Sequence, residues 1–248
     1  MVRNPYIIIQ ARINSERLPG KVLKKINGKP LISILIERLK WSGLPILVAT
    51  SINKENDLLE EEVLKHDGVI VYRGSEDNVL QRFYEAAKGV GADPVFRLTG
   101  DNPLMDGSLL NQMLEKYYSF NSSDIFMSIG LSKSYPLGIS AELFSFRLLE
   151  KAFLNATSHA ELEHVTPYMY QNRSQKIKII PFRGKMLKYH YRLTVDTAED
   201  FELHEKLINL YNADQLSIEA IIKILDNHKE LLAINRNVIQ KTINNESL

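Results

Sequence analysis

The sequence predicts an α/β fold with a mostly parallel sheet that helices cover on both faces. In the first hundred residues, short β-rich runs alternate with amphipathic segments of helical length. Each of these segments is long enough for a right-handed crossover between parallel strands. The composition is that of an ordinary globular protein, since 44% of the 248 residues are hydrophobic and 25% are charged.

The elements are predicted in a definite order along the chain. The first part is a β-α-β-α-β-α-β series, with strands at 6–9, 45–50, 69–72 and 94–98 and helices at 31–41, 55–66 and 78–88. The later part is less regular, with helices at 106–120, 146–156, 161–171, 198–211 and 216–227 and strands at 125–128, 176–181 and 191–195. Ser217 is the expected N-cap of the last helix. The polar last dozen residues are expected to fray.

No internal repeat, low-complexity tract or linker divides the sequence. We therefore predict one domain over residues 1–215, which includes a smaller lobe around 130–190. Residues 216–248 are predicted to form a helical extension at the carboxyl end.

Charge and cysteine content limit the possible functions. The formal net charge of +1 gives no general basis for binding nucleic acid or an anionic membrane, so a bound anion requires a local cluster of cations. The lack of cysteine excludes disulfides, thiolate chemistry and cysteine-bound zinc. Neither a signal peptide nor a membrane span is recognisable, and a cytoplasmic location is therefore expected.

The loop after the first strand, QARINSERLPGK at 10–21, is rich in positive charge. Pro19 and Gly20 predict a turn, and Arg12, Arg17 and Lys21 supply the cations. Backbone N–H groups in such a turn can face an anion, so the loop favours a triphosphate site. A solvated basic loop is the alternative, and it is the better interpretation for any single arginine. The loop contains neither a Walker motif nor G-x-G-x-x-G.

Two later loops each place an acid directly after a predicted strand. Asp101 lies in RLTGDNPLMD and Asp196 lies in RLTVDTAEDFEL. Ligands of parallel sheets bind beyond the carboxyl ends of the strands, so these acids could face the basic loop. Together they would suit magnesium, which prefers one or two carboxylates with phosphate oxygens and water. Alternatively, the acids cap a turn or a helix, and the cap is the role that we predict for Asp106.

The segment QARINSERLPGKVLKKINGKPLI resembles the amino-terminal signature R-x-x-S-x-R-L-P-x-K of the CMP-Kdo and CMP-acylneuraminate synthetases. The resemblance is strongest to the SpsF branch of this cytidylyltransferase superfamily, on VYRGSEDNVLQRFYEAA, SYPLGISAELFSFRLLEKA, ELEHVTPYMY and the two acid-bearing loops. These motifs are collinear from residue 6 to about residue 205. The resemblance implies a Rossmann-like, GT-A-like nucleotidyltransferase sheet with a small dimerisation lobe, and hence a homodimer.

The resemblance also implies ligands and residue roles. CTP and a small sugar would be the substrates and Mg²⁺ the cofactor, with no nucleic acid or membrane as partner. Lys21, Asp101 and Asp196 would be catalytic, and the two acids would bind the metal. The nucleotide would contact Ala11, Arg12, Ser15, Arg17, Lys21, Thr50, Gly74, Asp77 and Arg82. The sugar would contact Tyr135, Glu142, His164 and Tyr168, of which His164 and the tyrosines could equally be structural residues.

One segment of this sequence departs from the SpsF branch. The branch is expected to have G-L-D-V-E, whereas residues 138–142 are GISAE, and Leu137 stands where an aspartate is common. The loss of two carboxylates on the sugar side indicates a different acceptor or weakened catalysis. The phosphate and metal residues match the family.

The resemblance predicts attack by a sugar hydroxyl on the α-phosphorus of CTP, which releases pyrophosphate and forms a CMP-sugar. The acceptor would be an acidic nonulosonate or a Kdo-like sugar, used for a surface polysaccharide or glycan. One alternative is a glycosyltransferase that consumes a nucleotide sugar, although the sequence has no D-x-D triplet. Another is a nucleotide-binding protein without turnover. The apolar stretch at 144–153 could be a dimer contact or core.

Overall fold

The computed structural model describes residues 3–171, 177–184 and 188–240. Within these ranges the strands are β1 Tyr6–Gln10, β2 Lys25–Ile26, β3 Lys29–Pro30, β4 Ile46–Ser51, β5 Val69–Gly74, β6 Val95–Thr99, β7 Ile125–Ser128, β8 Glu142–Phe144 and β9 Lys178–Pro181. The helices are α1 Leu31–Leu39, α2 Asp57–Val63, α3 Val79–Gly89, α4 Gly107–Ser119, α5 Phe146–Asn155, α6 His159–His164, α7 Pro167–Gln171, α8 Ala198–Tyr211, α9 Ile218–Asn227 and α10 Lys229–Asn235.

A seven-stranded sheet, counted over the described residues, runs in the order β5-β4-β1-β6-β8-β7-β9. Strands β5, β4, β1 and β6 are parallel, β8 is antiparallel to both of its neighbours, and β9 is parallel to β7. Strands β2 and β3 form a separate antiparallel pair. The mostly parallel α/β fold is thereby confirmed. The carboxyl ends of the four parallel strands share one edge of the sheet.

The side chains of β1 show why helices cover both faces of the sheet. Ile7, Ile8 and Ile9 are fully buried. Successive side chains of a strand point to opposite faces, so Ile7 and Ile9 join one hydrophobic cluster and Ile8 joins the other. The apolar residues of α1, α4, α8 and α9 complete the first cluster, and those of α3, α5 and α7 complete the second. Each face of the sheet therefore has its own core.

Most of the predicted elements are present, and several agree closely with the structure. The strand at 125–128 and the helix at 198–211 have the predicted bounds. Ser217 caps α9, since its hydroxyl accepts a hydrogen bond from the N–H of Ala220 at 3.3 Å. Within the stretch at 144–153, Phe144, Leu148 and Leu149 are fully buried core residues.

Two sequence predictions, both for residues between 161 and 195, are wrong. The helix at 161–171 is divided into α6 and α7, because Val165 has a left-handed φ of 68° and the following helix starts at Pro167. The strand at 191–195 is absent, and only a single bridge joins Arg192 to Leu137. The N–H groups of Leu193 and Val195 instead bond to carbonyls of separate loops.

Some elements of the structure were not predicted, and some predictions concern residues outside the described ranges. The unpredicted elements are β2, β3, β8 and α10. The strand that corresponds to β9 was expected to begin at residue 176, which lies outside the described residues. Most of the tail that was expected to fray, 241–248, also lies outside them. In the described part of the chain, no helix combines the length and the apolar character that crossing a membrane requires.

Candidate active site

A cleft of about 820 Å³ opens beyond the carboxyl ends of β1 and β6. This is the edge of the sheet where parallel α/β proteins bind their ligands. Its wall consists of the loop after β1, the start of the segment after β5, the turn after β6, and two acids from later in the chain. The lining residues are Gln10 to Arg17, Pro19 to Val22, Glu76, Asp77, Thr99, Gly100, Asp101, Glu163 and Asp196.

The loop after β1 folds back on itself at the predicted turn. Gly20 adopts a left-handed φ of 66°, which glycine reaches without the steric cost that a Cβ atom brings. Its N–H donates to the carbonyl of Ile13 at 3.1 Å, and a single 3₁₀ turn, Lys21–Leu23, follows. The Ile13 N–H donates to the side chain of Asn56 at 2.9 Å. These bonds hold the loop so that Arg12, Arg17 and Lys21 all line the cleft.

The ammonium group of Lys21 lies between the two predicted metal acids. Its Nζ is 3.1 Å from Oδ2 of Asp101, 2.8 Å from Oδ1 of Asp196 and 2.9 Å from the carbonyl oxygen of Val195. Asp101 reaches this position because Gly100 packs tightly on Ala11, where a Cβ atom on Gly100 would come within 2.9 Å of the alanine methyl. The structure therefore brings together three groups separated by up to 175 positions in the sequence.

The second oxygen of Asp196 is also engaged by cations. Its Oδ2 is 3.0 Å from Nη2 of Arg17 and 2.8 Å from Nη2 of Arg192. Burial acts to raise the pKa of Asp196, but the charges of Lys21, Arg17 and Arg192 outweigh it, and the pKa lies below its ordinary value. Asp196 is therefore ionised at neutral pH and available as a ligand.

The arrangement suits a magnesium ion. Asp101, Asp196 and the Val195 carbonyl direct oxygen atoms at one cation, the Lys21 ammonium, and the basic loop beside them can hold phosphates. Over the described ranges there is no cluster of three or more His, Cys, Asp or Glu side chains that could hold a metal. Mg²⁺ does not require such a cluster, because it commonly binds one or two carboxylates together with substrate phosphates and water.

Of the other residues predicted to bind the nucleotide, the structure brings some to the cleft and not others. Ala11, Arg12, Ser15 and Asp77 are part of the lining.

Thr50, Gly74 and Arg82 are not brought to the cleft wall. The side chains of Thr50 and Arg82 are fully buried. Arg82 donates to the carbonyl of Ser75 at 2.6 Å, and its burial lowers the pKa of the guanidinium group to about 10. Gly74 ends β5, where a Cβ atom would come within 2.9 Å of the Tyr72 ring.

The four residues predicted to contact the sugar do not line the cleft. Tyr168 is buried in the second core cluster, and Tyr135 packs against Gly184. His164 is the last residue of α6.

Glu142 forms an ion pair with Arg97 at 2.8 Å. It also accepts a hydrogen bond from the hydroxyl of Thr166 at 3.1 Å. By contrast, Asp106 has the predicted cap role, since its side chain accepts from the N–H of Ser108 at 2.9 Å.

Several residues of the cleft were not predicted to have a role, and three of them carry polar side chains with informative positions. Gln10 ends β1, and its side-chain oxygen accepts from Arg97 at 3.0 Å. Glu76 pairs with Arg12 at 2.8 Å. Gln10 is the first residue of the basic loop at 10–21 and Glu76 is adjacent to Asp77, so position in the sequence was an available signal for both. Glu163 comes from α6 and had no such signal, because only the tertiary position of that helix brings it to the cleft.

Comparison with known proteins agrees with this geometry. The model of the cytidylyltransferase family matches residues 6–233. The spore coat polysaccharide biosynthesis protein SpsF of Bacillus subtilis is 34% identical over 203 residues, which cover 79% of this chain and 82% of SpsF. The 3-deoxy-manno-octulosonate cytidylyltransferase of Francisella tularensis subsp. novicida is 28% identical over 237 residues, which cover 89% and 91%. A solved cytidylyltransferase structure from Leptospira borgpetersenii superposes with a TM-score of 0.88 at 31% identity, over 97% of this chain and all of that one.

The parallel sheet and the cleft at its carboxyl edge define a nucleotidyltransferase-type α/β protein. The chain belongs to the cytidylyltransferase family. The resemblance to the SpsF branch that the motifs indicated is thereby confirmed.

Proposed function

We propose that this protein transfers CMP from CTP to a hydroxyl group of a sugar and releases pyrophosphate. The observation that carries the proposal is the convergence of Lys21, Asp101 and Asp196 beside the basic loop. Membership of the cytidylyltransferase family supports CTP as the nucleotide. The relatives named for a spore coat polysaccharide and for an octulosonate support a sugar as the acceptor.

Different residues of the chain would bind the triphosphate, contact the base and hold the metal. Arg12, Ser15, Arg17 and Lys21 would hold the triphosphate, and the fixed cations would stabilise the charge that develops on the departing pyrophosphate. Ala11 and Asp77 would lie beside the base.

Asp101 and Asp196 would hold Mg²⁺, which when bound supplies charge neutralisation and lowers the pKa of the attacking hydroxyl. Since Lys21 contacts both carboxylates, it would move toward the phosphates when the metal binds.

For the acceptor we propose an acidic sugar of the nonulosonate or Kdo type. The support is the relative whose name specifies 3-deoxy-manno-octulosonate, a sugar acid. The changed segment at 137–142 is the part of the chain that would adapt the site to a particular member of this class. A homodimer, a cytoplasmic location, and the division into a domain over 1–215 and a helical extension over 216–248 also belong to this proposal.

The test is pyrophosphate release from CTP with Mg²⁺ and a panel of sugars that includes Kdo, acylneuraminates and neutral hexoses. We expect release with CTP and an acidic sugar, and none with the neutral sugars. If pyrophosphate is released only with a neutral sugar, the acceptor is a neutral sugar and not an acidic one, and the proposed type of reaction is unchanged. Consumption of a nucleotide sugar, with release of free nucleoside diphosphate, would show a glycosyltransferase instead.

Nucleotide choice can be tested without knowledge of the sugar. Each of the four nucleoside triphosphates is added with Mg²⁺, and the thermal unfolding midpoint is measured. A ligand at a hundred times its dissociation constant stabilises the folded state by about 2.7 kcal/mol. We expect CTP to give the largest increase of the midpoint. CTP binding with no turnover on any sugar would identify a nucleotide-binding protein without this activity.

A further inference from the structure

A buried arginine lies behind Asp196, on the side away from Lys21. Nη2 of Arg192 is 2.8 Å from Oδ2 of Asp196. The same guanidinium group forms a forked pair with Asp200, with Nε 2.7 Å from Oδ1 and Nη2 2.9 Å from Oδ2. Its Nη1 donates to the side chain of Gln240. The Asp200 side chain is fully buried and that of Arg192 is 8% exposed, so these pairs are largely shielded from water.

Asp200 holds the main chain of Asp196 as well. Its Oδ2 accepts hydrogen bonds from the N–H of Asp196 at 3.0 Å and from the N–H of Thr197 at 3.2 Å. In addition to its contacts with Lys21 and Arg17, Asp196 is therefore held at its carboxylate by Arg192 and at its backbone by Asp200.

The last described helix completes this network. The side-chain amide of Asn235 in α10 donates to Oδ1 of Asp200 at 2.8 Å and to the carbonyl oxygen of Arg192 at 3.1 Å. Asn235 is buried. The helix is thus joined to the two residues that hold Asp196, although it contributes no residue to the cleft wall.

This support is needed because residues 191–195 do not form a strand. A strand in the sheet would be held by a ladder of backbone hydrogen bonds, whereas this segment has one isolated bridge, between Arg192 and Leu137, and a further bond from the Val195 N–H to the Asp101 carbonyl at 2.8 Å. With Oδ2 of Asp196 held by Arg192 and Arg17, its Oδ1 is left to face Lys21 and Asp101. The side-chain network therefore fixes the position of Asp196. For Asp101 the sheet has this role, because β6 ends at Thr99, two residues before it.

We propose that Arg192, Asp200 and Asn235 are positioning residues that keep Oδ1 of Asp196 directed at the metal position. By this inference α10 supports the metal position indirectly, through Arg192 and Asp200. The inference rests on the proposed function, because it takes the cation position between Asp101 and Asp196 to be a metal site. It predicts that a change in α10 weakens metal binding without a change in any residue that touches the ligand.

The first test variant is Asn235→Ala, with Asn237→Ala as the matched control. Asn237 is an exposed amide two residues further along the chain. Mn²⁺ alone is titrated against each full-length protein and followed by electron paramagnetic resonance. Binding of CTP in EDTA and the thermal midpoint are measured in parallel. For Asn235→Ala we expect about tenfold weaker Mn²⁺ binding, CTP binding within twofold of wild type, and wild-type values for the control.

The second variant is Arg192→Lys, which keeps the charge but cannot bridge two carboxylates with a planar fork. We expect it to weaken Mn²⁺ binding at least as much as Asn235→Ala, and to raise the Mg²⁺ concentration that half-saturates pyrophosphate release. Wild-type Mn²⁺ affinity in both variants would overturn the inference, even where the thermal midpoint falls, because the network would then serve stability alone. Failure of the wild-type protein to bind Mn²⁺ would overturn the proposed metal site as well, so the two failures are distinguishable.

Discussion

The cleft and the region predicted to bind the sugar differ in how their polar side chains are used. On the nucleotide side, Lys21, Asp101 and Asp196 meet at one point although they come from distant parts of the sequence. On the predicted sugar side, Glu142 is paired with Arg97 and Tyr168 is buried in the core. Parallel strands direct the loops at their carboxyl ends to one edge, which brings Lys21 and Asp101 together, whereas Asp196 follows a segment that is not a strand and is held there by tertiary contacts. Strand β8 runs the other way, so this rule does not locate the residues around it.

The largest effect should follow from the removal of one acid on the nucleotide side. For Asp101→Asn and Asp196→Asn we expect the rate of pyrophosphate release to fall at least about a hundredfold, since under the proposed function each loses a charge that would align the metal and the α-phosphate. The rate is measured with CTP, Mg²⁺ and the acceptor found in the panel. Asp67→Asn, at an exposed acid outside the cleft, is the control.

The fold should survive the first of these changes. Lys21 keeps its contacts with Asp196 and with the Val195 carbonyl when Asp101 becomes neutral. Circular dichroism and the thermal midpoint of Asp101→Asn should therefore stay close to wild type. Turnover at the wild-type rate in either variant would be incompatible with the metal role of that acid.

How well the sequence predicts the site depends on what places each residue. Asp101 could be predicted because it directly follows a recognisable parallel strand. Arg192 was not predicted as a site residue, because its role depends on contacts with Asp200 and α10 that no local pattern encodes. Glu163 reaches the cleft only through the packing of α6. Asp101 was thus predictable from topology, whereas Asp196, which follows no strand, was predicted from its motif, and Arg192 and Glu163, which only tertiary contacts place, were not predicted.

The same distinction holds for the fold. The four parallel strands and their crossover helices could be predicted, because each is a β-rich run or an amphipathic segment of the usual length. The break at Val165 was missed because apolar and aromatic residues continue through 161–171, and a left-handed φ at a β-branched residue is unfavourable by itself. The extended segment at 191–195 was taken for a strand because its composition is β-rich, but composition does not show which groups its backbone bonds.

A smaller effect is expected on the sugar side, from Glu142→Gln. The variant removes the charge opposite Arg97, whose side chain is only 13% exposed, and leaves that cation with neutral amide oxygens in place of a carboxylate, one from the substituted side chain and one from Gln10. We expect the free energy of unfolding in urea to fall by about 2 kcal/mol. The KM for the sugar should change less than about threefold, because the contacts of Glu142 are internal.

The control for this variant is Glu205→Gln, at an exposed position in α8. If Glu142 instead binds the sugar, as the sequence predicted, the two measurements should change in the opposite way. In that case the KM for the sugar rises strongly while the free energy of unfolding stays at the wild-type value. The two measurements together decide whether Glu142 has a structural role or contacts the acceptor directly.

The smallest effect concerns the pH dependence of stability beneath Asp196. His204 is fully buried, with Nδ1 2.8 Å from the carbonyl oxygen of Asp200 and Nε2 3.1 Å from that of Leu193. Burial lowers the pKa of His204 below the ordinary value of 6.5. Below pH 6.5 the unfolded chain therefore binds a proton that the folded chain does not. The free energy of unfolding should decrease as the pH falls, by at most about 1.4 kcal/mol per pH unit from this group.

Urea unfolding of wild type and His204→Gln at pH 7.5 and pH 5.5 isolates this contribution. The variant is expected to be less stable at pH 7.5, because it loses the packing of the imidazole, but it lacks the proton uptake on unfolding. The difference in unfolding free energy between the two proteins should therefore narrow at pH 5.5. His159→Gln, at a side chain that is 89% exposed, should leave the wild-type pH dependence unchanged. If the difference in unfolding free energy widens at pH 5.5, the folded protein instead holds a charged imidazole that donates to both carbonyls. In that case low pH would stabilise the segment that carries Asp196.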